Sequence, residues 1–489
     1  MPVLLRWIWI LAALLVVIPC AWIASLEWFS RDDFAFLVHV QRTDPWLWSD
    51  VFLPLEQRFW PFYRPLGMET YFWAGFRVFG LHAAGFFAVS LAVHFGSGVL
   101  VHRIARQWGF AAPSALAAAL LSVSRPPTLS EIYYGSVFHY VASRFFALAA
   151  LALFQRDLRG GSPLARAGSC AALLLALLCN EVNATIPLLL VLGTVAALPR
   201  EPVVPATLRA ARRALPQLVL VGAYLVFRFV LLAPSELREI HTPTFGIHVA
   251  RNAWVEINAV FGGPGGLAVA GLGALAIGLW LHRAGRFGSD GMRALRTTGV
   301  CIGWLALAGA PFAMLPFPQL RYAMLLEPPA SLLVGVWLDA GFRRAASRRP
   351  RAAELGFAAL VIAAIPYGTL ASRLAQPVAW PLLRLLDVVE ALPDLRDDTR
   401  VTVLYGAPGL ADAKRAQELR YLAYNGAVLP AAHPESQMSL RFHDLAQRPP
   451  RAAIRPGTRY LALRDDLGVA PADAALLRRE LPRGMEDSR

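Results

Sequence analysis

The sequence has little of what marks a soluble protein. Only 16% of its 489 residues are charged, whereas 56% are apolar and the mean hydropathy is +0.47. Lysine is almost absent, Lys414 being the only one. The few cysteines all lie inside apolar runs, without paired or CxxC spacing: Cys20, Cys170, Cys179 and Cys301. This pattern argues against a disulfide framework or a cysteine metal site and indicates that lipid surrounds most of the chain.

Long apolar runs fill the first three quarters of the chain. A hydrocarbon core of about 30 Å needs roughly 20 apolar residues of helix, and residues 7–26 form such a run without a charge. Arg6 before it would also suit a signal peptide, but no clean cleavage site precedes Glu27, so we expect an uncleaved anchor. Ten further runs bring the predicted spans to eleven: 81–105, 110–123, 138–154, 168–179, 184–198, 215–232, 261–281, 297–315, 322–342 and 355–370.

The placement of arginine predicts the orientation, because cytoplasmic loops carry an excess of Lys and Arg. Alternate loops collect eighteen arginines on one side of the membrane: Arg103 and Arg106; Arg156, Arg159 and Arg166; Arg200, Arg209, Arg212 and Arg213; Arg283, Arg286, Arg293 and Arg296; and Arg343, Arg344, Arg348, Arg349 and Arg351. The N-terminus is therefore predicted to be inside, and the long loop at 27–69 outside. The net charge of +14 is spread over these loops, so no nucleic-acid partner is expected.

Hydropathy falls after Arg373, which predicts a second domain. We expect an all-α polytopic membrane domain at 1–372 and a small α/β domain at 373–489. An odd number of spans places the second domain outside. Its predicted elements are helices at 378–392 and 411–424 and strands at 400–405 and 458–463. It shows no glycine-rich phosphate loop, catalytic triad or zinc spacing, which favours a structural or acceptor-facing role.

Two adjacent acids, Asp32 and Asp33, follow the first span directly. One interpretation is a helix N-cap or a solvated loop, since Asp favours caps. The other is catalytic: one carboxylate acts as general base on an incoming hydroxyl, while its neighbour positions it or binds a divalent cation. No other metal site or cofactor is predicted.

Arginine and further ionisable residues recur at the predicted outer face. Arg64 lies between aromatic residues and prolines in the segment 60–66, where it suits either phosphate binding or an interfacial aromatic belt. Ionisable residues at membrane depth are functional candidates by default. The candidates at this face are Glu131, His139, Arg144, Glu181, Arg321 and Tyr322.

In their order along the chain these motifs resemble the GT-C membrane glycosyltransferases, especially protein O-mannosyltransferase-like bacterial members. The resemblance covers about residues 1–340. It rests on the acid pair after the first span, on Phe62-Tyr63-Arg64-Pro65-Leu66, on Gly80-Leu81-His82 with His94, on Ala142-Ser143-Arg144, on Asn180-Glu181 and on Arg321-Tyr322. Asn180-Glu181 and Ser143-Arg144 stand where Lys-Glu and Gly-Arg are usual.

The resemblance implies an inverting transferase that moves a sugar from a polyprenyl-phosphate donor to an acceptor hydroxyl outside the cytoplasmic membrane. Asp32 would be the base and Asp33 its support. Arg64, Arg144 and Arg321 would bind the donor phosphate, and the acceptor would be a protein, a lipid or a glycan of the cell envelope. Glu131, His139, Glu181 and Tyr322 would support the reaction on the acceptor side. Two alternatives stay open at this point, a polysaccharide polymerase or ligase and a transporter or flippase.

Overall fold

The chain is mostly helical in the computed structural model, with a small sheet near the C-terminus. The structure describes residues 3–42, 62–198, 201–228, 244–261, 289–316, 318–347, 350–363, 365, 370, 374, 380–392, 399–405, 410–423, 427–433, 438–444 and 458–472. Fifteen helices precede residue 364: Val3–Leu26 (α1), Asp33–Arg42 (α2), Tyr71–Phe79 (α3), Ala83–Gln107 (α4), Ala112–Val123 (α5), Pro126–Glu131 (α6), Phe138–Gly160 (α7), Pro163–Cys179 (α8), Ile186–Ala197 (α9), Val203–Arg213 (α10), Leu215–Val226 (α11), Ile247–Phe261 (α12), Ser289–Ala313 (α13), Glu327–Ala346 (α14) and Pro350–Ala363 (α15), as counted among the described residues.

Three described helices are long and apolar enough to cross a membrane by length and composition: Arg6–Leu26, Ala83–Gln107 and Gly135–Gly160. Shorter apolar helices coincide with several other predicted runs, among them Ala112–Val123, Pro163–Cys179 and Leu215–Val226. The prediction of an integral membrane protein is confirmed at this level, but the count of eleven spans is not. The predicted run at 261–281 lies outside the described residues except for Phe261, which ends α12.

The hairpin of α7 and α8 shows how the sequence directs the helices. α7 ends before Gly161, whose φ of 61° is the left-handed conformation that glycine adopts readily. Ser162 then caps α8 by accepting a hydrogen bond from the Ala165 N–H, and Pro163 occupies the first turn, where its missing N–H is not needed. The turn is short, so α7 and α8 pack antiparallel along their length.

The C-terminal part of the chain, predicted as a second domain, contains a four-stranded sheet in the order β2-β1-β3-β4, formed by Arg400–Tyr405 (β1), Ser439–Asp444 (β2), Thr458–Leu463 (β3) and Val469–Pro471 (β4). β1 is parallel to β2 and β3, and β4 is antiparallel to β3. Helices Trp380–Glu390 (α16), Ala413–Leu422 (α17) and Val428–Ala432 (α18) accompany it. The predicted α/β content is confirmed, and β1 and β3 match the predicted strands. The boundary at 372 and 373 lies outside the described residues and stays a prediction.

The sheet domain lies against the segment that follows α1. The Arg31 N–H donates to the Leu422 carbonyl at 2.7 Å, and Gln41 Nε2 donates to the Ala431 carbonyl at 2.9 Å. The C-terminal domain and the acid pair are therefore on the same side of the helical part.

Candidate active site

The two acids after α1 have different environments. Asp33 begins α2 and is completely buried, whereas Asp32 is partly exposed. Asp33 reaches back to accept a hydrogen bond from the Ser30 N–H at 3.2 Å, which closes the turn before α2. Asp32 directly precedes the first helical residue, and its carbonyl accepts from the N–H groups of Ala35 and Phe36.

Asp33 also ties the α1–α2 loop to the segment before α7. Its Oδ2 accepts from the Gly135 N–H at 3.1 Å, and its Oδ1 accepts from both the N–H and the hydroxyl of Ser136, each at 2.7 Å. Burial raises the pKa of Asp33 to about 7, and the hydrogen bonds that it accepts act in the opposite direction. These contacts fix Asp33 in place, and they therefore also restrict the position of Asp32, the residue before it.

Asp32 interacts electrostatically with Tyr134 and Arg321, which come from two distant segments of the chain. Burial raises the pKa of Tyr134 well above its usual range, and the negative charges of Asp32 and Asp33 raise it further. The positive charge of Arg321 acts on both Tyr134 and Asp32. The structure thus brings together the acid after the first span and the late arginine, which are nearly 300 positions apart in the sequence.

Arg321 lies on a 3₁₀ turn, Leu320–Leu325, directly before α14. Among the described residues, its guanidinium has no hydrogen-bond or ion-pair partner. Its electrostatic neighbours are Asp32 and the hydroxyls of Tyr134, Tyr140 and Tyr322. A partly buried cation with unused donors, within electrostatic range of a carboxylate, is an arrangement suited to an anionic ligand.

Arg64 makes a two-pronged ion pair with Glu181. Its Nε donates to Glu181 Oε2 at 3.0 Å and its Nη2 to Oε1 at 2.8 Å, while Nη1 lies 2.9 Å from His139 Nε2. The guanidinium also lies over the Phe62 ring, 4.7 Å from its centroid. Three predicted site residues therefore meet in one cluster. The Arg64 guanidinium, which was predicted to bind phosphate, binds the Glu181 carboxylate in this structure.

Local backbone features place this cluster. A π-helical turn, Pro65–Thr70, follows Arg64 directly, and such turns are frequent at functional sites. A Cβ added at Gly67 would lie 2.5 Å from the Cβ of His139, so only glycine permits this approach. On the other side, Asn180 accepts a hydrogen bond from the Val182 N–H at 3.1 Å and so starts the turn that carries Glu181.

Arg144 belongs to a separate, buried network. It pairs with Glu327 at 2.5 Å, and the two side chains are 2% and 0% exposed. It also contacts His94 and donates to the Met324 carbonyl at 3.3 Å. The hydroxyl and N–H of Thr128 donate to the same glutamate. The structure does not bring Arg144 to Asp32, and its predicted role in phosphate binding stays a prediction.

The remaining predicted residues lie around the acid loop. Glu131 forms an ion pair with Arg31 at 3.7 Å. Tyr322 stacks on Phe312, with ring centroids 4.4 Å apart and an interplanar angle of 13°, and packs against Tyr140. Among the described residues, no group of three or more His, Cys, Asp or Glu side chains is placed to hold a metal ion. A cation at the acid pair would depend on Asp32, because the Asp33 oxygens face N–H and O–H donors.

Sequence reasoning missed several residues that build the site, in particular Tyr134, Ser136, Tyr140 and Glu327. The first three lie close in the sequence to the predicted residues Glu131 and His139, but nothing in their spacing links them to an acid about a hundred positions earlier. Glu327 is the first residue of α14, directly before Pro328 and Pro329, and lies within the predicted span at 322–342. An acid in a predicted span was a usable signal, because a buried acid needs a cationic partner such as Arg144.

Neither a protein-family model nor a curated protein matches the chain. Among solved structures it is similar to ArnT from Cupriavidus metallidurans in the apo state, with 13% identity, 81% of each chain covered and a TM-score of 0.49. The same protein bound to undecaprenyl phosphate gives 12% identity, 88% of this chain, 89% of that chain and a TM-score of 0.49. The archaeal oligosaccharyltransferase AglB from Archaeoglobus fulgidus, in complex with an inhibitory peptide and a dolichol-phosphate, gives 12% identity, 84% of this chain, 63% of that chain and a TM-score of 0.42.

Proposed function

We propose that the chain is an inverting GT-C-type glycosyltransferase. It takes a sugar from a polyprenyl-phosphate donor and passes it to an acceptor hydroxyl at the outer face of the cytoplasmic membrane. The observation that supports the proposal is the different environment of the two acids, Asp32 and Asp33. Asp33 is buried and accepts four hydrogen bonds, and this holds the partly exposed Asp32 on a fixed loop within the field of Arg321.

The reaction assigns a separate task to each charge. Asp32 accepts the proton of the acceptor hydroxyl while that oxygen attacks the anomeric carbon of the sugar. The new bond from carbon to the acceptor oxygen forms as the bond from carbon to the phosphate oxygen breaks, and the electron pair of the broken bond stays with the phosphate. Arg321 donates hydrogen bonds to that phosphate and offsets its growing negative charge. Attack from the side opposite the phosphate inverts the configuration.

A membrane site suits such a donor. The prenyl tail stays among the lipids, while the phosphate and sugar reach the polar cluster at the helix ends. Arg64 is then held by Glu181 as a supporting positive charge behind His139, at 2.9 Å from its ring. Arg321, whose guanidinium has no hydrogen-bond partner among the described residues, is the group assigned to direct contact with the phosphate.

The central test is the substitution Asp32→Asn, which keeps the size of the side chain but removes the proton acceptor. Loss of a general base costs about 10² to 10⁴ in rate. The purified variant should insert and bind donor normally, yet fail to release free lipid phosphate from radiolabelled polyprenyl-phosphate sugars. Asp465→Asn is the matched control, because Asp465 is exposed in a turn of the sheet domain. Turnover by Asp32→Asn at the rate of this control would refute the assignment of the base.

The orientation has its own test. Lys414 is exposed on α17 of the sheet domain, which contacts Arg31 and therefore lies on the side of Asp32. A cysteine introduced at 414 should react with an impermeant maleimide in intact cells or spheroplasts. Labelling that requires lysis would place the sheet domain and Asp32 in the cytoplasm and would rule out an outer-face reaction.

A further inference from the structure

The residue before Asp32 has an unusual backbone conformation. Arg31 has a φ of 58°, in the left-handed region that side chains other than glycine, asparagine and aspartate seldom adopt. Its N–H donates to the Leu422 carbonyl at 2.7 Å. A strained residue persists where its surroundings fix it. Here a residue nearly 400 positions away in the sequence supplies one of the contacts that fix it.

The Arg31 side chain bridges the helical part and the sheet domain. Its guanidinium lies over the Tyr134 ring at 5.1 Å and over the Tyr421 ring at 5.2 Å, each measured to the ring centroid. It also pairs with Glu131 at 3.7 Å. A cation above an aromatic face is attracted by the ring electrons. One arginine is thus held by the segment before α7 on one side and by the end of α17 on the other.

A second contact secures the helix that follows. Gln41, near the end of α2, donates to the Ala431 carbonyl at 2.9 Å. The Leu422 and Ala431 carbonyls therefore hold the loop before α2 and the last turn of α2, and Asp32 lies between these two points. Any movement of the sheet domain relative to the helices would shift the Asp32 carboxylate.

We propose that the sheet domain positions the catalytic acid, with Arg31 and Tyr421 as positioning residues that set the location of Asp32 relative to Arg321. This inference rests on the proposed function, since it takes Asp32 as the base. It gives the C-terminal domain a role in the rate of transfer, without any contact of its own with the donor. The contact at Arg31 is the mechanical link between the two parts.

The first experiment measures the link without reference to catalysis. Amide hydrogen exchange over residues 27–42 of the full-length protein should become faster in Tyr421→Ala and stay unchanged in Tyr421→Phe, which keeps the aromatic face. Lys414→Ala is the matched control, an exposed residue at the other end of the same helix. Equal exchange in Tyr421→Ala and Lys414→Ala would overturn the link.

The second experiment measures its effect on the reaction. Tyr421→Ala should lower kcat about two- to fivefold, the range of one exposed cation–π contact, with donor affinity and thermal midpoint near those of wild type. Tyr421→Phe should restore kcat. Unchanged kcat in Tyr421→Ala would overturn the proposal, as would equal losses in kcat, donor affinity and stability, since those would indicate general unfolding.

Substitutions of Arg31 separate a role of the backbone from a role of charge. Glycine adopts a positive φ without strain, so Arg31→Gly should retain more of kcat than Arg31→Ala. If the two variants were equally slow and Arg31→Lys were fully active, charge alone would explain Arg31 and positioning would be excluded. Full turnover by Asp32→Asn would refute the proposed function, whereas the exchange result would still report whether the sheet domain fixes the loop.

Discussion

Arg64 and Glu181 are 117 positions apart, and their side chains meet in two parallel hydrogen bonds of 3.0 and 2.8 Å. Both residues lie on short irregular segments between helices, one before the π-helical turn and one in the turn from α8 to α9. The pair therefore joins two helix ends beside His139. It also explains why an acid can interrupt an otherwise apolar hairpin, because its charge is matched by an arginine that the sequence places far away.

Removing either partner should destabilise the protein to a similar extent. Arg64→Ala and Glu181→Ala each leave one charge without its partner in a mostly buried site, where the side chains are 12% and 27% exposed. Each loss should cost about 1–3 kcal/mol of unfolding free energy. The double variant should lose no more than the worse single variant, because the interaction is already absent. Additive decreases in the thermal midpoint in detergent would show that the two residues act independently.

The same pair predicts a pH dependence. Burial alone raises the pKa of Glu181, but the charge and hydrogen bonds of Arg64 outweigh it, so the pKa falls from 4.5 to about 2. A carboxyl with a lowered pKa stabilises the native state above the unfolded pKa and loses this contribution as the pH falls toward the native value. The difference in thermal midpoint between wild type and Glu181→Gln should be constant above about pH 5.5 and shrink below about pH 4.5. A difference that grows on acidification would contradict the ion pair.

Local and periodic features of the fold were predictable, and distant pairings were not. The apolar run of α4 and the strand at 400–405 follow from hydropathy and from alternation, which depend on neighbouring residues alone. α2 was missed, because its residues combine buried aromatic positions with a polar end and give no long apolar run. The candidate acids and arginines could be named, but the pairing of Arg64 with Glu181, and of Arg144 with Glu327, depends on helix packing that no local pattern encodes.

Asp33 and Asp32 should respond differently to the same substitution. An amide at position 33 would direct its NH₂ group at N–H or O–H donors that now face a carboxylate oxygen. Each unsatisfied buried donor costs about 1–3 kcal/mol, so Asp33→Asn should lower the thermal midpoint clearly. Asp32→Asn should leave it unchanged. Ser136→Ala, which removes one hydroxyl donor, should fall between them. Equal stability of the two asparagine variants would show that the burial of Asp33 has no structural role.

Gly135 should not tolerate a side chain. A Cβ there would lie 2.9 Å from Phe72 Cζ and 3.2 Å from Asp33 Oδ1. Gly135→Ala should therefore displace the N–H that binds Asp33 and cost about 1–3 kcal/mol. Gly222, inside α11, is the matched control, because a Cβ there meets no atom within 4 Å. Gly222→Ala should be neutral or stabilise by about 0.5–1 kcal/mol. When the two variants are measured side by side, only Gly135→Ala should have a lower thermal midpoint than wild type, and a neutral Gly135→Ala would contradict the close approach.

Arg321 and Arg144 should be separable by donor affinity and by stability. Among the described residues Arg321 has no hydrogen-bond partner, so its removal leaves no buried acceptor unsatisfied. Arg321→Ala should weaken donor binding about 10- to 100-fold, the equivalent of losing one or two charge-assisted hydrogen bonds to phosphate, while the thermal midpoint stays close to that of wild type. Arg321→Lys should recover only part of the affinity, because an ammonium cannot donate two parallel bonds.

Arg144→Ala should do the reverse. It leaves Glu327 buried without its cation, a change that costs about 3–5 kcal/mol for buried pairs. The fraction that remains folded should bind donor with nearly normal affinity. Direct binding of a polyprenyl-phosphate sugar to each purified variant, together with its thermal midpoint, would distinguish the two. Normal donor affinity in Arg321→Ala would remove this residue from the phosphate site. A specific loss of affinity in a stable Arg144→Ala would assign the phosphate to the buried network instead.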